Sequence, residues 1–129
     1  MIVVETRHHV SISVVYLERA KRFYQVVLGL PEIDRPPFDF PGAWYAVGDR
    51  QLHLIVHRGT RTLRNTTSID ARDGHFALRA QNYSEAVRHL QQHEVVCRAR
   101  PDNLTSWPQL YVTDPDGDVI ELNFARADL

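Results

Sequence analysis

Apolar and polar residues alternate one by one along Val10-Ser11-Ile12-Ser13-Val14, the period of a half-buried strand. The same alternation returns at Gln51-Leu52-His53-Leu54-Ile55-Val56, at Phe76-Ala77-Leu78-Arg79-Ala80 and at Val119-Ile120-Glu121-Leu122-Asn123-Phe124. Ala43-Trp44-Tyr45-Ala46-Val47 and Gln109-Leu110-Tyr111-Val112-Thr113 read as further strands, followed by turns at Gly48-Asp49 and Asp114-Pro115-Asp116-Gly117. Two segments have the helical period instead. Ala20, Phe23, Tyr24, Val27 and Leu28 form one apolar stripe, with Gly29 as the C-terminal cap and Pro31 as the stop. Tyr83, Ala86, Val87 and Leu90 form the second, with Asn82 or Ser84 near its N-cap. Weaker strands are expected near Pro31 to Arg35 and Val95 to Arg100.

These elements come in two copies. With His9 set on His75, an offset of 66, the first strands and the helix openings Leu17-Glu18-Arg19-Ala20 and Tyr83-Ser84-Glu85-Ala86 coincide. Each half reads β-α-β-β-β. The pattern predicts an α+β fold of two βαβββ modules, about 7–57 and 73–125. A polar, Arg- and Thr-rich linker at 58–72 joins them into a single domain spanning 1–129.

Strand alternation also sorts the faces. Val10, Ile12 and Val14 oppose His9; Leu52, Leu54 and Val56 oppose His53 and His57; Phe76 and Leu78 oppose His75; Ile120, Leu122 and Phe124 oppose Glu121. One face can accept helices. The other, mixed face carries His or Glu in all four strands, and a curved sheet leaves it lining a cleft. His53 matches Glu121 at an offset of 68, close to the 66 relating His9 to His75. Related positions in two copies are expected to meet around a pseudo-two-fold axis. Imidazole and carboxylate suit zinc, nickel, iron or manganese, so a metal centre of His9, His53, His75 and Glu121 is expected. A catalytic metal with an open position polarises a carbonyl or activates water.

Composition narrows the partners. The 129 residues are 43% apolar and 24% charged, with a formal net charge of −1. No basic excess invites nucleic acid or an anionic membrane, which leaves a small molecule as the expected partner. The single cysteine, Cys97, reads as a structural thiol. The start Met1-Ile2-Val3-Val4-Glu5 is too short for a signal's apolar core, and no apolar run reaches a membrane span, so a cytoplasmic location is expected.

His8-His9-Val10-Ser11-Ile12-Ser13-Val14, then Leu17 to Tyr24 and Val27-Leu28-Gly29-Leu30, resembles the opening of the vicinal oxygen chelate superfamily. That superfamily includes glyoxalase I, methylmalonyl-CoA epimerase, extradiol dioxygenases, fosfomycin-resistance thiol transferases and bleomycin-resistance proteins. Val112-Thr113-Asp114-Pro115-Asp116-Gly117-Asp118-Val119-Ile120-Glu121-Leu122 is similar to its closing signature. The resemblance implies paired βαβββ modules, one divalent metal and a homodimer. It puts His9, His75 and Glu121 at the ligand positions usual in fosfomycin enzymes and dioxygenases. His53 falls where glyoxalase I has a glutamate that binds the metal and shuttles a proton. Histidine there is a departure, open to ligation, to general base chemistry or to a supporting role. The expected activity is that of a glyoxalase I-like lyase or isomerase on a small substrate chelating the metal through vicinal oxygens, with Glu121 and His53 as the catalytic residues. The alternatives are a dioxygenase, a fosfomycin-resistance-type thiol transferase and a metal-free binding protein like the bleomycin-resistance members.

Other candidates have plainer readings. His8 is expected on the face opposite His9. His57 reads as a pocket edge or exposed, and His89 and His93 as solvated. Arg79 reads as an anion-holding group or an ion-pair partner. Trp44, Tyr45, Trp107 and Tyr111 are cleft or core residues, and Asp116 and Gly117 serve the turn.

Overall fold

The structure, a computed structural model, describes residues 1–59 and 68–129. The chain divides into two compact units, Met1–Thr60 and Arg61–Leu129. The central part of the expected linker lies outside the described residues.

The first unit contains β1 (His9–Val14), α1 (Leu17–Arg22), β2 (Glu32–Ile33), β3 (Gly42–Val47) and β4 (Arg50–Val56). Its sheet has the order β1-β4-β3-β2, with β1 parallel to β4 and the other pairs antiparallel. The second unit repeats this with β5 (His75–Arg79), α2 (Tyr83–Gln92), β6 (Cys97–Arg100), β7 (Gln109–Thr113) and β8 (Val119–Asn123), in the order β5-β8-β7-β6. Each unit is the βαβββ module read from the repeat.

The apolar faces pack as the alternation requires. Val14, Ala43, Tyr45, Leu52 and Leu54 are buried with Ala20, Phe23 and Tyr24 of the first helical segment. In the second unit Leu110, Val112, Ile120 and Leu122 are buried with Leu90, and Tyr83 meets Phe124 edge to face at 5.3 Å. Fully burying a side chain such as Ile120 contributes about 1.5–3 kcal/mol.

One element differs from its expectation. The first helix is α-helical only to Arg22, and Phe23–Val27 form a π-helical turn. The Leu28 amide donates to the Phe23 carbonyl at 3.0 Å, five residues back. Phe23 and Tyr24 of that turn are both buried. Gly29 then takes φ +70°, and the Leu30 amide closes on the Tyr24 carbonyl at 2.9 Å. The second helix starts at Asn82, whose side chain makes no capping bond; Ser84 lies inside the helix. At its end Glu94 sits at φ +56°, the Val95 amide donates to the Leu90 carbonyl at 2.9 Å and the Glu94 amide to that of Gln91 at 3.0 Å. That is a Schellman closure with a glutamate where glycine is usual.

The β7–β8 loop is organised by Asp114, 4% exposed. Its Oδ1 accepts the amides of Asp116 at 3.0 Å and Asp118 at 2.9 Å, and its carbonyl accepts that of Gly117. Asp116 and Gly117 therefore serve the turn, as read. No helix among the described residues is long and apolar enough to cross a membrane.

Candidate metal centre

In the first unit, β1 and β4 run side by side, pairing His9 with Gln51 and Ser11 with His53, while β3 brings Trp44 opposite His53. The helix-distal face thus collects flat rings. His53 stacks on Trp44 at 3.9 Å with 5° between planes, and on His9 at 4.3 Å with 21°. Sandwiched this way, His53 is 7% exposed, and its Nε2 lies 2.8 Å from Gln51 Oε1. Burial, and then the nearby charges of His9, His8 and Arg35, hold its imidazole below the ordinary value. His8 lies outside β1, so strand alternation does not bind it. Its Nδ1 stands 2.9 Å from His9 Nδ1, rather than on the opposite face. When His9 Nδ1 donates in that contact, Nε2 carries the lone pair.

The second unit holds the other two candidates. Glu121 is 6% exposed on β8, directly between Ala77 of β5 and Tyr111 of β7. Three neutral donors fix its carboxyl. Gln109 Nε2 at 3.2 Å and the Tyr111 hydroxyl at 3.0 Å donate to Oε1, and Asn123 Nδ2 at 2.8 Å donates to Oε2. Arg79 Nε braces Asn123 through Oδ1 at 2.6 Å, so its contact here is an amide and not an ion pair. Burial, then the hydrogen bond to and the charge of Glu121, push the Tyr111 hydroxyl up to about 12. Tyr111 therefore remains a donor at neutral pH. His75 Nδ1 lies 2.8 Å from the Asp73 carbonyl, which can only accept. A proton is thus assigned to Nδ1, and Nε2 lies 3.5 Å from Glu121 Oε1.

Each unit accordingly brings two of the four expected residues together: His9 with His53, and His75 with Glu121. Among the described residues no group of three or more His, Cys, Asp or Glu stands ready to hold a metal ion. The chemistry of each pair fits one nonetheless. His75 has its tautomer set by a backbone carbonyl, as metal-bound histidines commonly do, and Glu121 has its orientation set by neighbours.

The supporting residues Gln51, Trp44, Gln109 and Tyr111 carry no motif. Gln51 lies two residues before His53, Gln109 two before Tyr111 and Asn123 two after Glu121, so strand alternation combined with the hairpin register is the signal that locates them. Of the other aromatics, Tyr45 faces the helix side and receives a hydrogen bond from Gln25 at 3.1 Å, and Trp107 lies in the loop before β7. His57 and His93 are exposed and His89 half-buried. Burial raises the Cys97 thiol above its ordinary value, away from the reactive thiolate.

A family model described as Glyoxalase/Bleomycin resistance protein/Dioxygenase superfamily matches residues 6–122. A search of curated protein sequences finds no match. Solved structures share the fold. A glyoxalase family protein from Bacillus anthracis superposes with a TM-score of 0.79 at 21% identity, over 97% of this chain and 98% of that one. Lactoylglutathione lyase from Agrobacterium tumefaciens gives 0.68 at 17%, over 96% of each chain. A mutant of the fosfomycin resistance protein FosX from Listeria monocytogenes, complexed with Mn(II) and 1S,2S-dihydroxypropylphosphonic acid, gives 0.72 at 16%, over 96% and 94%. With two βαβββ modules in the structure and a family match across nearly its whole length, the chain belongs to the Glyoxalase/Bleomycin resistance protein/Dioxygenase superfamily.

Proposed function

We propose that the chain is a divalent-metal-dependent enzyme, a glyoxalase I-like lyase or isomerase acting on a small substrate that chelates the metal through vicinal oxygens. The observation that carries this reading is the His75–Glu121 pair. His75 Nε2 and a Glu121 carboxyl oxygen lie 3.5 Å apart, and each group is oriented by its own hydrogen-bonding neighbours. His9, His75 and Glu121 would hold the metal, with His53 as a further ligand or a proton carrier. The Mn(II) bound to the structurally similar FosX mutant supports a divalent ion; its identity here is zinc, nickel, iron or manganese. Such a metal, when bound, polarises a substrate carbonyl and stabilises developing negative charge. Around it the chain's own groups have distinct tasks. The Asp73 carbonyl keeps the His75 proton on Nδ1. Gln109, Tyr111 and Asn123 keep the Glu121 carboxyl from rotating. His53, neutral at physiological pH by its burial, is able to accept a proton. A homodimer and a cytoplasmic setting complete the proposal.

A second reading has one observation in its favour. His53 Nε2 is already engaged by Gln51, and its ring faces are covered by Trp44 and His9. On that reading His53 is a packing ring held between Trp44 and His9, and His9, His75 and Glu121 are the three-residue ligand set of a dioxygenase or a thiol transferase.

Metal analysis after loading with manganese, nickel, zinc or iron(II) tests the proposal. One equivalent of metal is expected in the wild type and far less in Glu121→Gln at unchanged circular dichroism. Equal metal content in both proteins removes Glu121 from the ligand set. No retained metal under any condition leaves a metal-free binding protein. His53→Ala with full metal and no turnover assigns proton transfer; lost metal assigns ligation.

A further inference from the structure

The loop at 34–41, between β2 and β3, is built more firmly than a connection of its length requires. The Phe38 amide closes a tight turn on the Pro36 carbonyl at 2.8 Å, and proline fixes φ at 36, 37 and 41. The Arg35 guanidinium donates to the Phe40 carbonyl at 2.7 Å and lies 5.0 Å from both the Phe38 and Phe40 ring centroids. It also packs so closely on Gly42 that a Cβ there would stand 2.9 Å from Nη2. The two phenyl rings stack at 5.1 Å, 15° apart, and Phe38 lies 6.2 Å from Trp44. Trp44 in turn stacks on His53. Flat side chains therefore run without a break from the loop surface to the His9–His53 pair.

Despite this bracing the outer rings are not covered: Phe38 is 45% exposed and Phe40 37%. A loop closing on its own small core would bury them. Arg35 instead braces the stacked pair from beside it and leaves it facing outward, a pre-organised apolar surface beside candidate ligand residues. Asp34 and Asp39 flank Arg35, so the loop offers ring faces rather than net positive charge.

We propose that the Phe38–Phe40 platform, continuous with Trp44, receives a flat apolar group, an aromatic ring or a conjugated system, on the ligand served by the His9–His53 pair. The last clause rests on the metal-enzyme reading; recognition of the flat group does not.

The test compares benzoylformate with pyruvate by calorimetry on the full chain, with and without Mn(II). Both are 2-oxo acids with the same vicinal oxygens and differ in phenyl against methyl. Benzoylformate is expected to bind at least about tenfold more tightly in both conditions. In F38A/F40A the ratio is expected to fall below about threefold, with Mn(II) affinity and pyruvate binding unchanged. Should that variant misfold, Phe38→Leu and Phe40→Leu keep the apolar volume without the ring, and each is expected to lower the ratio. A wild-type ratio near one, or a ratio that survives loss of both rings, overturns the proposal. So does a change from dimer to monomer in F38A/F40A with the ratio intact, which assigns the rings to a second copy. Phenyl preference without any Mn(II) binding overturns the metal reading alone.

Discussion

A single hydroxyl, that of Tyr111, shows how the second unit prepares its carboxylate. It donates to the same Glu121 oxygen that faces His75, while Asn123 holds the other oxygen. Removing such an orienting partner typically costs about 10–100-fold in metal affinity. Tyr111→Phe is accordingly expected to weaken Mn(II) binding by about that factor, with far-ultraviolet dichroism unchanged; calorimetric titration measures it, and an unaltered affinity removes Tyr111 from the orienting set. His53 predicts a pH effect of definite sign. Its folded imidazole protonates less readily than the usual value near 6.5. Between its lowered value and 6.5 the unfolded chain binds more protons, so stability rises with pH there. The contribution is complete above the unfolded value and drains away as the pH falls below it. In metal-free protein, urea midpoints are expected to drop between pH 7.5 and 5.5 by less in His53→Gln than in wild type. An identical drop would show that His53 titrates as it does in the unfolded chain.

Among the elements, the end of α2 stores a small cost. Glu94 occupies the left-handed region, which costs a residue with a Cβ roughly 1–2 kcal/mol. Glycine removes that cost while losing more entropy on folding. Glu94→Gly is therefore expected to stabilise the chain by about 0.5–1 kcal/mol in urea unfolding, and destabilisation would mean the carboxylate makes a compensating contact. The elements are largely legible in the sequence, because period two and period 3.6 are carried by individual side chains. Ile12 against Ser11 and Leu122 against Glu121 sort the faces without tertiary knowledge. The π turn at Phe23–Val27 was not legible, since Phe23, Tyr24, Val27 and Leu28 satisfy an α stripe equally well and only packing selects the wider turn. His8 departs from its expected face for a related reason: alternation applies inside a strand, and β1 begins one residue later. Gln51 and Gln109 give no signal in the sequence, because an uncharged amide announces no chemistry until the register shows what it faces.

For the molecule as a whole, the four candidate ligands are split two and two between compact units. A cation that binds only the folded chain stabilises it. At 100 times its dissociation constant it adds about 2.7 kcal/mol. Hydrogen exchange is then expected to slow in β5 and β8 on adding Mn(II), where His75 and Glu121 stand together, and in neither strand for Glu121→Gln. Unchanged exchange in both strands of the wild type would mean that the His75–Glu121 pair holds no metal. The strand order has a further bearing on timing. In both sheets the first strand of the module lies against the last: β1 on β4, and β5 on β8. His75 opens its unit, yet Glu121 arrives only with the closing strand, 46 residues later. During synthesis each half of the donor set stays unmade until its module's final strand emerges, and an ion has no complete partner in a half-made chain. A proteolytic cut in any loop between the two strands would leave both donors chemically intact and no longer tethered to each other through the backbone.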